Sequence, residues 1–125
     1  MNPYIEIIRP GNALMGAISI ILVALIDKTF SIPVVLAMAA VFFETAAGNT
    51  INDYFDYKID LINKPERPIP SGRISLKNGR NYAYLLFLAG TLCGFLISYM
   101  TNNWIPFIIV LMADVVLYLY AYKLK

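Results

Sequence analysis

Residues 31–57 read SIPVVLAMAAVFFETAAGNTINDYFDY, an apolar run that ends in a polar and acidic segment. Glu44 is the one charged residue before Asp53 in this stretch. The run is long enough to cross a bilayer as a helix, because the hydrocarbon core requires about 20 mostly apolar residues. The stretch therefore predicts a membrane-spanning helix that carries carboxylates at one end.

Further apolar runs precede and follow this helix, and 59% of the 125 residues are hydrophobic. Soluble domains contain about half apolar residues, so we predict an all-α, multi-pass transmembrane helical bundle. Residues 1–10 lack the pattern of a cleavable signal peptide, so the first run is expected to remain in the membrane. The prediction is a single transmembrane unit over residues 1–125, with helices at 10–26, 31–57, 81–99 and 104–122 and a polar loop at 58–80.

The basic residues predict the orientation of these spans. Every lysine and arginine except Lys28 lies on alternate ends of the four predicted helices. Positive charges are retained on the cytoplasmic side of short loops. We therefore expect a protein of the cell membrane, surrounded by membrane lipids, with both termini and the loop 58–80 in the cytoplasm.

Composition also excludes some classes of function. The net charge is only +2 and histidine is absent, so we expect no nucleic-acid partner and no zinc site or triad built on histidine. The single cysteine, Cys93, lies in an apolar run and is expected to be a buried small hydrophobic residue.

Five amide and carboxylate side chains follow one another with helical spacing near the end of the second predicted helix. At about 100° per residue, they fall within an arc of roughly 100° on one helical face. Clustered carboxylates near a membrane require a cation, and oxygen ligands suit Mg²⁺. A solvated acidic helix end is the alternative. The residues of the arc are Asn49, Asn52, Asp53, Asp56 and Asp60, of which the last four are the predicted metal ligands.

The loop after this helix carries the complementary positive charge. Residues 63–73 read NKPERPIPSGR, in which three prolines stiffen the chain and Gly72 permits a tight turn. Guanidinium groups bind phosphate oxygens in a bidentate manner. Arg67 and Arg73 are therefore predicted diphosphate ligands, unless these charges only keep the loop in the cytoplasm or contact lipid headgroups.

These motifs together resemble the UbiA superfamily of intramembrane prenyltransferases. Asn52-Asp53-x-x-Asp56-x-x-x-Asp60 is similar to its first Asp-rich motif, and Arg67-Pro-x-Pro-Ser-Gly-Arg73 to the loop that follows. Arg9 takes the place of a basic residue that opens the first helix, and residues 120–125 resemble the signature that closes the fourth. Residues 8–12 and 43–60 look most like archaeal members that form the second ether bond of membrane lipids.

The resemblance implies an enzyme that transfers a geranylgeranyl group from a prenyl diphosphate donor to a lipid-like phosphate acceptor, geranylgeranylglyceryl phosphate. It implies that Asn52, Asp56 and Asp60 are catalytic and hold Mg²⁺ on the donor diphosphate, with Asp53 adjoining. The implied phosphate ligands are Arg9, Lys58, Arg67, Arg73 and Lys125. Aromatic rings that could line the path of the allylic cation are Tyr54, Phe55, Tyr118 and Tyr120.

Members of this superfamily resemble nine-helix bundles with a second Asp-rich motif, which residues 1–125 do not contain. We therefore expect this chain to be the front part of a longer protein whose remaining helices complete the site. Two alternatives stay open, namely a prenyltransferase for an aromatic quinone precursor and a non-catalytic membrane subunit that binds cations. Glu44 could pair with another helix or remain protonated, and Asp114 could contact the acceptor.

Overall fold

The computed structural model describes residues 2–27 and 31–123, which form helices and no strand in that part of the chain. The all-α prediction is confirmed. The third helix is central, because it packs against the second, fifth and sixth, and the fifth also packs against the sixth. In chain order the helices are α1 (Pro3–Ile7), α2 (Pro10–Asp27), α3 (Ile32–Phe55), α4 (Tyr57–Asn63), α5 (Leu76–Thr101) and α6 (Ile105–Tyr122).

Three of the helices, α3, α5 and α6, are long and apolar enough to cross a membrane by length and composition. In α2 the described apolar stretch, Pro10–Leu22, is shorter. Four spans were predicted, and three of the described helices have the length and composition of a span. Large apolar side chains lie exposed on the outer faces of α5 and α6, among them Leu88, Leu92, Met112 and Val116. A helix surrounded by lipid or by other membrane helices presents such a surface.

The region around the acidic segment is more structured than expected. Helix α3 ends at Phe55, because Asp56 has φ −84° and ψ 7°, whereas an α-helix requires ψ near −42°. After this turn α4 runs through the first part of the predicted loop 58–80. At the other end of the loop, the Ser75 hydroxyl accepts a hydrogen bond from the Asn78 N–H and caps α5. Within the predicted loop 58–80, only residues 64–75 lie outside a helix.

Small residues allow the helices to approach each other closely. A Cβ added at Gly94 of α5 would lie 2.8 Å from the Val110 side chain of α6, and one added at Gly90 would meet Glu44 of α3. Contacts of this kind bring membrane helices together where side chains are small. Cys93 lies between these two glycines in the sequence. It was expected to be buried, but it is only partly buried.

Candidate functional site

The side chains of the acidic segment face different parts of the structure. Asn49 and Asp53, one helical turn apart, face the junction between α1 and α2. The Asn49 Nδ2 donates to the Ile8 carbonyl at 3.0 Å, and Asp53 Oδ1 accepts from Arg9 Nη2 at 2.8 Å. Asn52 lines a cavity, which Asn49 also borders. The adjacent residues Asn52 and Asp53 of the predicted face therefore have different neighbours.

Arg9 occupies an unusual backbone conformation at the junction of α1 and α2. Its φ is 50°, in the left-handed region that residues other than glycine seldom adopt. Such a conformation persists where the surrounding contacts hold it. Here the contacts come from Asn49, which binds the preceding carbonyl, and from Asp53, which binds the Arg9 side chain. The sequence analysis did not predict α1 or the positive φ of Arg9.

Arg67 joins the acidic segment from the irregular part of the loop. Its Nη1 lies 3.0 Å from Asp60 Oδ2 and 3.6 Å from Asp53 Oδ1. Both carboxylates are buried, so the two guanidinium groups offset charges that would otherwise be costly to remove from water. We call the four residues Arg9, Asp53, Asp60 and Arg67 the arginine–aspartate network.

Arg73, also predicted to bind diphosphate, has a different set of partners. Its Nη1 and Nη2 donate to the two carboxylate oxygens of Glu6 at 3.1 and 2.8 Å, and its Nε donates to Ser71 Oγ. The hydrogen bond from Arg73 holds the pKa of Glu6 below its ordinary value and raises the pKa of Arg73. Gly72, with φ 83°, makes the predicted tight turn. These contacts tie the loop to α1 and leave Arg73 outside the arginine–aspartate network.

A cavity of about 400 Å³ lies between α3 and α6. Its walls are mostly apolar, and Asn52 lies among its polar residues. The Asn52 Oδ1 is buried and has no hydrogen-bond partner among the described residues. Buried polar atoms nearly always have a partner, so an oxygen without one is a candidate ligand atom. The polar and charged side chains that line the cavity are Glu44, Thr45, Asn49, Asn52 and Tyr120.

The aromatic residues near the cavity either pack α3 against α6 or line the cavity. Phe55 contacts Tyr54, Tyr118 and Tyr122 edge-on, with ring centroids 5.0, 5.6 and 5.3 Å apart. This cluster packs the end of α3 against α6. Of the four aromatic residues predicted to line the path of the cation, Tyr120 is the one that lines the cavity between α3 and α6.

The oxygen donors of this segment suit Mg²⁺. Across residues 2–27 and 31–123, no three Cys, Asp or Glu side chains are grouped so that they could hold a metal ion by themselves. Mg²⁺ needs fewer protein ligands, because it retains water and shares the phosphate oxygens of a substrate. The unpartnered Asn52 Oδ1 fits such a role. Asp53 and Asp60 are each bonded to an arginine, Asp53 through Oδ1 and Asp60 through Oδ2, so these bonds leave the Oδ1 of Asp60 for a metal ion. Lys58 is exposed on α4, and Lys125 lies outside the described residues.

Comparison with known proteins defines the class of this protein. Residues 13–125 match the UbiA prenyltransferase family, so the chain belongs to that family, a family of multi-pass membrane proteins. The resemblance found in the sequence is confirmed.

More specific similarities point within the family. The whole chain is 66% identical to the digeranylgeranylglyceryl phosphate synthase of Methanobrevibacter smithii and 49% identical to that of Methanosphaera stadtmanae, covering 44% of each. A solved structure described as "Structural and mechanistic insights into the biosynthesis of Digeranylgeranylglyceryl phosphate synthase in membranes" matches with a TM-score of 0.85 and 39% identity. That match covers 97% of this chain and 43% of the other. The chain spans less than half the length of these relatives.

Proposed function

We propose that this chain is part of an enzyme that transfers a geranylgeranyl group from geranylgeranyl diphosphate to geranylgeranylglyceryl phosphate. The observation that carries the proposal is the position of Asn52. Its unpartnered oxygen lies at an apolar cavity, and its neighbour Asp53 belongs to the arginine–aspartate network. The names of relatives up to 66% identical support this choice of donor and acceptor.

In this proposal Asn52, Asp56 and Asp60 would hold Mg²⁺ on the donor diphosphate. When bound, Mg²⁺ offsets the negative charge that develops on the departing diphosphate. Asp53 is assigned to positioning Arg9 and Arg67 beside the metal ligands. An arginine has five N–H donors, and the contacts with Asp53 and Asp60 use few of them. Arg9 and Arg67 therefore retain donors for phosphate oxygens, with Lys58 and Lys125 as further candidates.

The residues of the cavity would protect the reacting prenyl chain. The bond between the allylic carbon and the diphosphate oxygen breaks, the acceptor oxygen forms the new ether bond, and the acceptor hydroxyl loses its proton. Apolar walls exclude water, which would otherwise capture the allylic cation. The Tyr120 ring lies in the cavity wall, where its face can stabilise positive charge.

A panel of acceptors tests the proposed reaction. The full-length protein is incubated in membranes with geranylgeranyl diphosphate and Mg²⁺, and with geranylgeranylglyceryl phosphate, a hydroxybenzoate or a naphthoate as acceptor. We expect transfer to the glyceryl phosphate only, and loss of transfer when a chelator removes Mg²⁺. Transfer to an aromatic acceptor alone would contradict the proposed substrate.

Binding measurements separate an enzyme from a cation-binding subunit. An enzyme that holds Mg²⁺ through the donor diphosphate should bind each ligand more tightly in the presence of the other. Titration of Mg²⁺ with and without geranylgeranyl diphosphate measures this coupling. Metal binding that is indifferent to the diphosphate would instead support a subunit without catalytic function.

The proposed orientation places α4 and the loop at the cytoplasmic surface. The basic residues of the loop support this placement. A cysteine introduced at the exposed Lys58 should react with a membrane-impermeant thiol reagent only in inside-out vesicles. Reaction in right-side-out vesicles would reverse the orientation.

A further inference from the structure

Glu44 lies in the middle of α3 and is surrounded by helices. Its exposed fraction is 8%. No donor among the described residues forms a hydrogen bond with either of its carboxyl oxygens. Helix α5 makes room for it at Gly90, where an added Cβ would lie 2.9 Å from the Glu44 carboxyl carbon. A buried and unpartnered carboxyl group in a membrane helix is costly and needs a specific explanation.

A second carboxyl group approaches Glu44 from α6. Asp114 contacts Thr91, the residue that follows Gly90 in α5, so the two carboxyl groups approach the same turn of that helix. The Oδ2 of Asp114 is 2.5 Å from the Thr91 hydroxyl of α5, whereas its Oδ1 is buried and has no partner in the described structure. Two ionised carboxylates can only accept hydrogen bonds, so they repel each other and leave these oxygens unsatisfied. A single proton removes both difficulties.

We propose that Glu44 keeps its proton and donates it in a hydrogen bond to Asp114 Oδ1, so that the pair positions α6 against α3. The Thr91 hydroxyl lies 2.5 Å from Asp114 Oδ2 and 2.8 Å from the Phe87 carbonyl. The shorter distance is that of a hydroxyl bonded to an ionised carboxylate, so we assign the Thr91 proton to Asp114 and the carboxylic acid to Glu44. The carboxylate of Asp114 then has one donor on each oxygen, from α3 and from α5. We call Glu44 and Asp114 the carboxyl pair.

The carboxyl pair joins the two walls of the cavity. Glu44 lines the cavity on α3, and Asp114 is on α6, which carries Leu117 and Tyr120 of the opposite wall. Eight residues separate Glu44 from Asn52, which is about 12 Å along a helix. Glu44 therefore acts as a positioning residue that sets the distance between the walls and does not contact the diphosphate. The role in prenyl transfer rests on the proposed function, whereas the hydrogen bond does not.

Infrared spectroscopy of the full-length protein tests the proton directly. A protonated carboxylic acid has a carbonyl stretch that ionised carboxylates lack, and this band should disappear in Glu44→Gln. The amide of Glu44→Gln still donates to Asp114, so the thermal stability should stay near that of the wild type. If the wild type has no band that Glu44→Gln removes, the proposal is overturned.

Donor binding tests the positioning role. We expect Glu44→Leu, which leaves Asp114 without its donor, to weaken Mg²⁺-dependent binding of geranylgeranyl diphosphate about tenfold, and Glu44→Gln to change it less than about threefold. Equal losses in both variants would overturn positioning through a donated hydrogen bond. The infrared measurement needs no substrate, so it remains decisive even if the acceptor panel disproves the proposed reaction.

Discussion

Asp53 Oδ1 accepts a hydrogen bond from Arg9 Nη2 at 2.8 Å, although 44 residues separate the two in the chain. The exposed side-chain fractions are 3% for Asp53 and 33% for Arg9. A buried carboxylate of the Asp-rich motif thus anchors the junction of α1 and α2. Its neighbour Asn52 points to the cavity, so adjacent residues of one motif have separable roles.

Substitution of these two neighbours should affect different properties. Asp53→Asn leaves Arg9 without its charged partner and should lower the free energy of unfolding by about 2 kcal/mol, the value of a hydrogen bond to a charged group. Asn52→Ala removes an oxygen without a partner and should change stability by less than about 1 kcal/mol. Thermal unfolding in detergent, without metal or substrate, measures both.

A binding assay tests whether Asn52 is a ligand. Asn52→Ala is expected to weaken Mg²⁺-dependent binding of geranylgeranyl diphosphate by about tenfold, which is about 1.4 kcal/mol. If Asn52→Ala instead lowers stability as much as Asp53→Asn and leaves binding intact, Asn52 is a packing residue.

The two loop arginines should differ in their contribution to donor binding. Arg67 approaches both carboxylates through one nitrogen, Nη1, so the rest of its planar guanidinium group retains donors for phosphate oxygens. Lysine carries a point charge and lacks this planar set of donors. We expect Arg67→Lys to raise the dissociation constant for geranylgeranyl diphosphate about tenfold. Arg73→Lys is the matched control and should stay within about twofold, because Arg73 is bonded to Glu6 in an exposed ion pair. Equal losses of affinity in the two variants would indicate that Arg73 also binds the diphosphate.

The Glu6–Arg73 pair should make the attachment of the loop sensitive to pH. Because the pKa of Glu6 is lowered in the folded protein, the pair contributes above the ordinary carboxyl range and is lost as the pH falls through the lowered value. We expect proteolysis of the loop to accelerate at low pH. Glu6→Gln should be cleaved at the faster rate at neutral pH too. If the wild type and Glu6→Gln are cleaved at the same rate at neutral pH, the pair does not attach the loop to α1.

Gly90 should tolerate no side chain, because Glu44 occupies the space beside it. We expect Gly90→Ala to lower the free energy of unfolding by about 2 kcal/mol, as overpacking typically does. Gly11→Ala, with no atom within 4 Å of the added Cβ, is the control and should not destabilise. Thermal unfolding in detergent compares the two.

A second substitution checks the cause of the Gly90→Ala effect. Glu44→Asp shortens the side chain and should restore part of the stability of Gly90→Ala, although it destabilises the protein on its own. If Glu44→Asp and Gly90→Ala are merely additive, the added methyl group meets some other neighbour.

The apolar runs were sufficient to predict the helical class and the central membrane helix, because the length of a span and its hydrophobicity are local properties of the chain. The Asp-rich motif and the loop were sufficient to indicate the family. Local pattern did not reveal that α3 ends at Phe55 or that α4 follows, since α4 has only seven residues and is too short to show a helical period.

The tertiary structure determined which partner each side chain of the motif contacts. Helical periodicity gives the angle between Asn52 and Asp53, but not which neighbour each of them faces. That choice depends on partners far away in sequence, such as Arg9 for Asp53 and, 67 residues apart, Glu6 for Arg73. Charge pairing is a property of distance in space, so only the packed helices could separate a residue that holds arginines from one that faces the cavity.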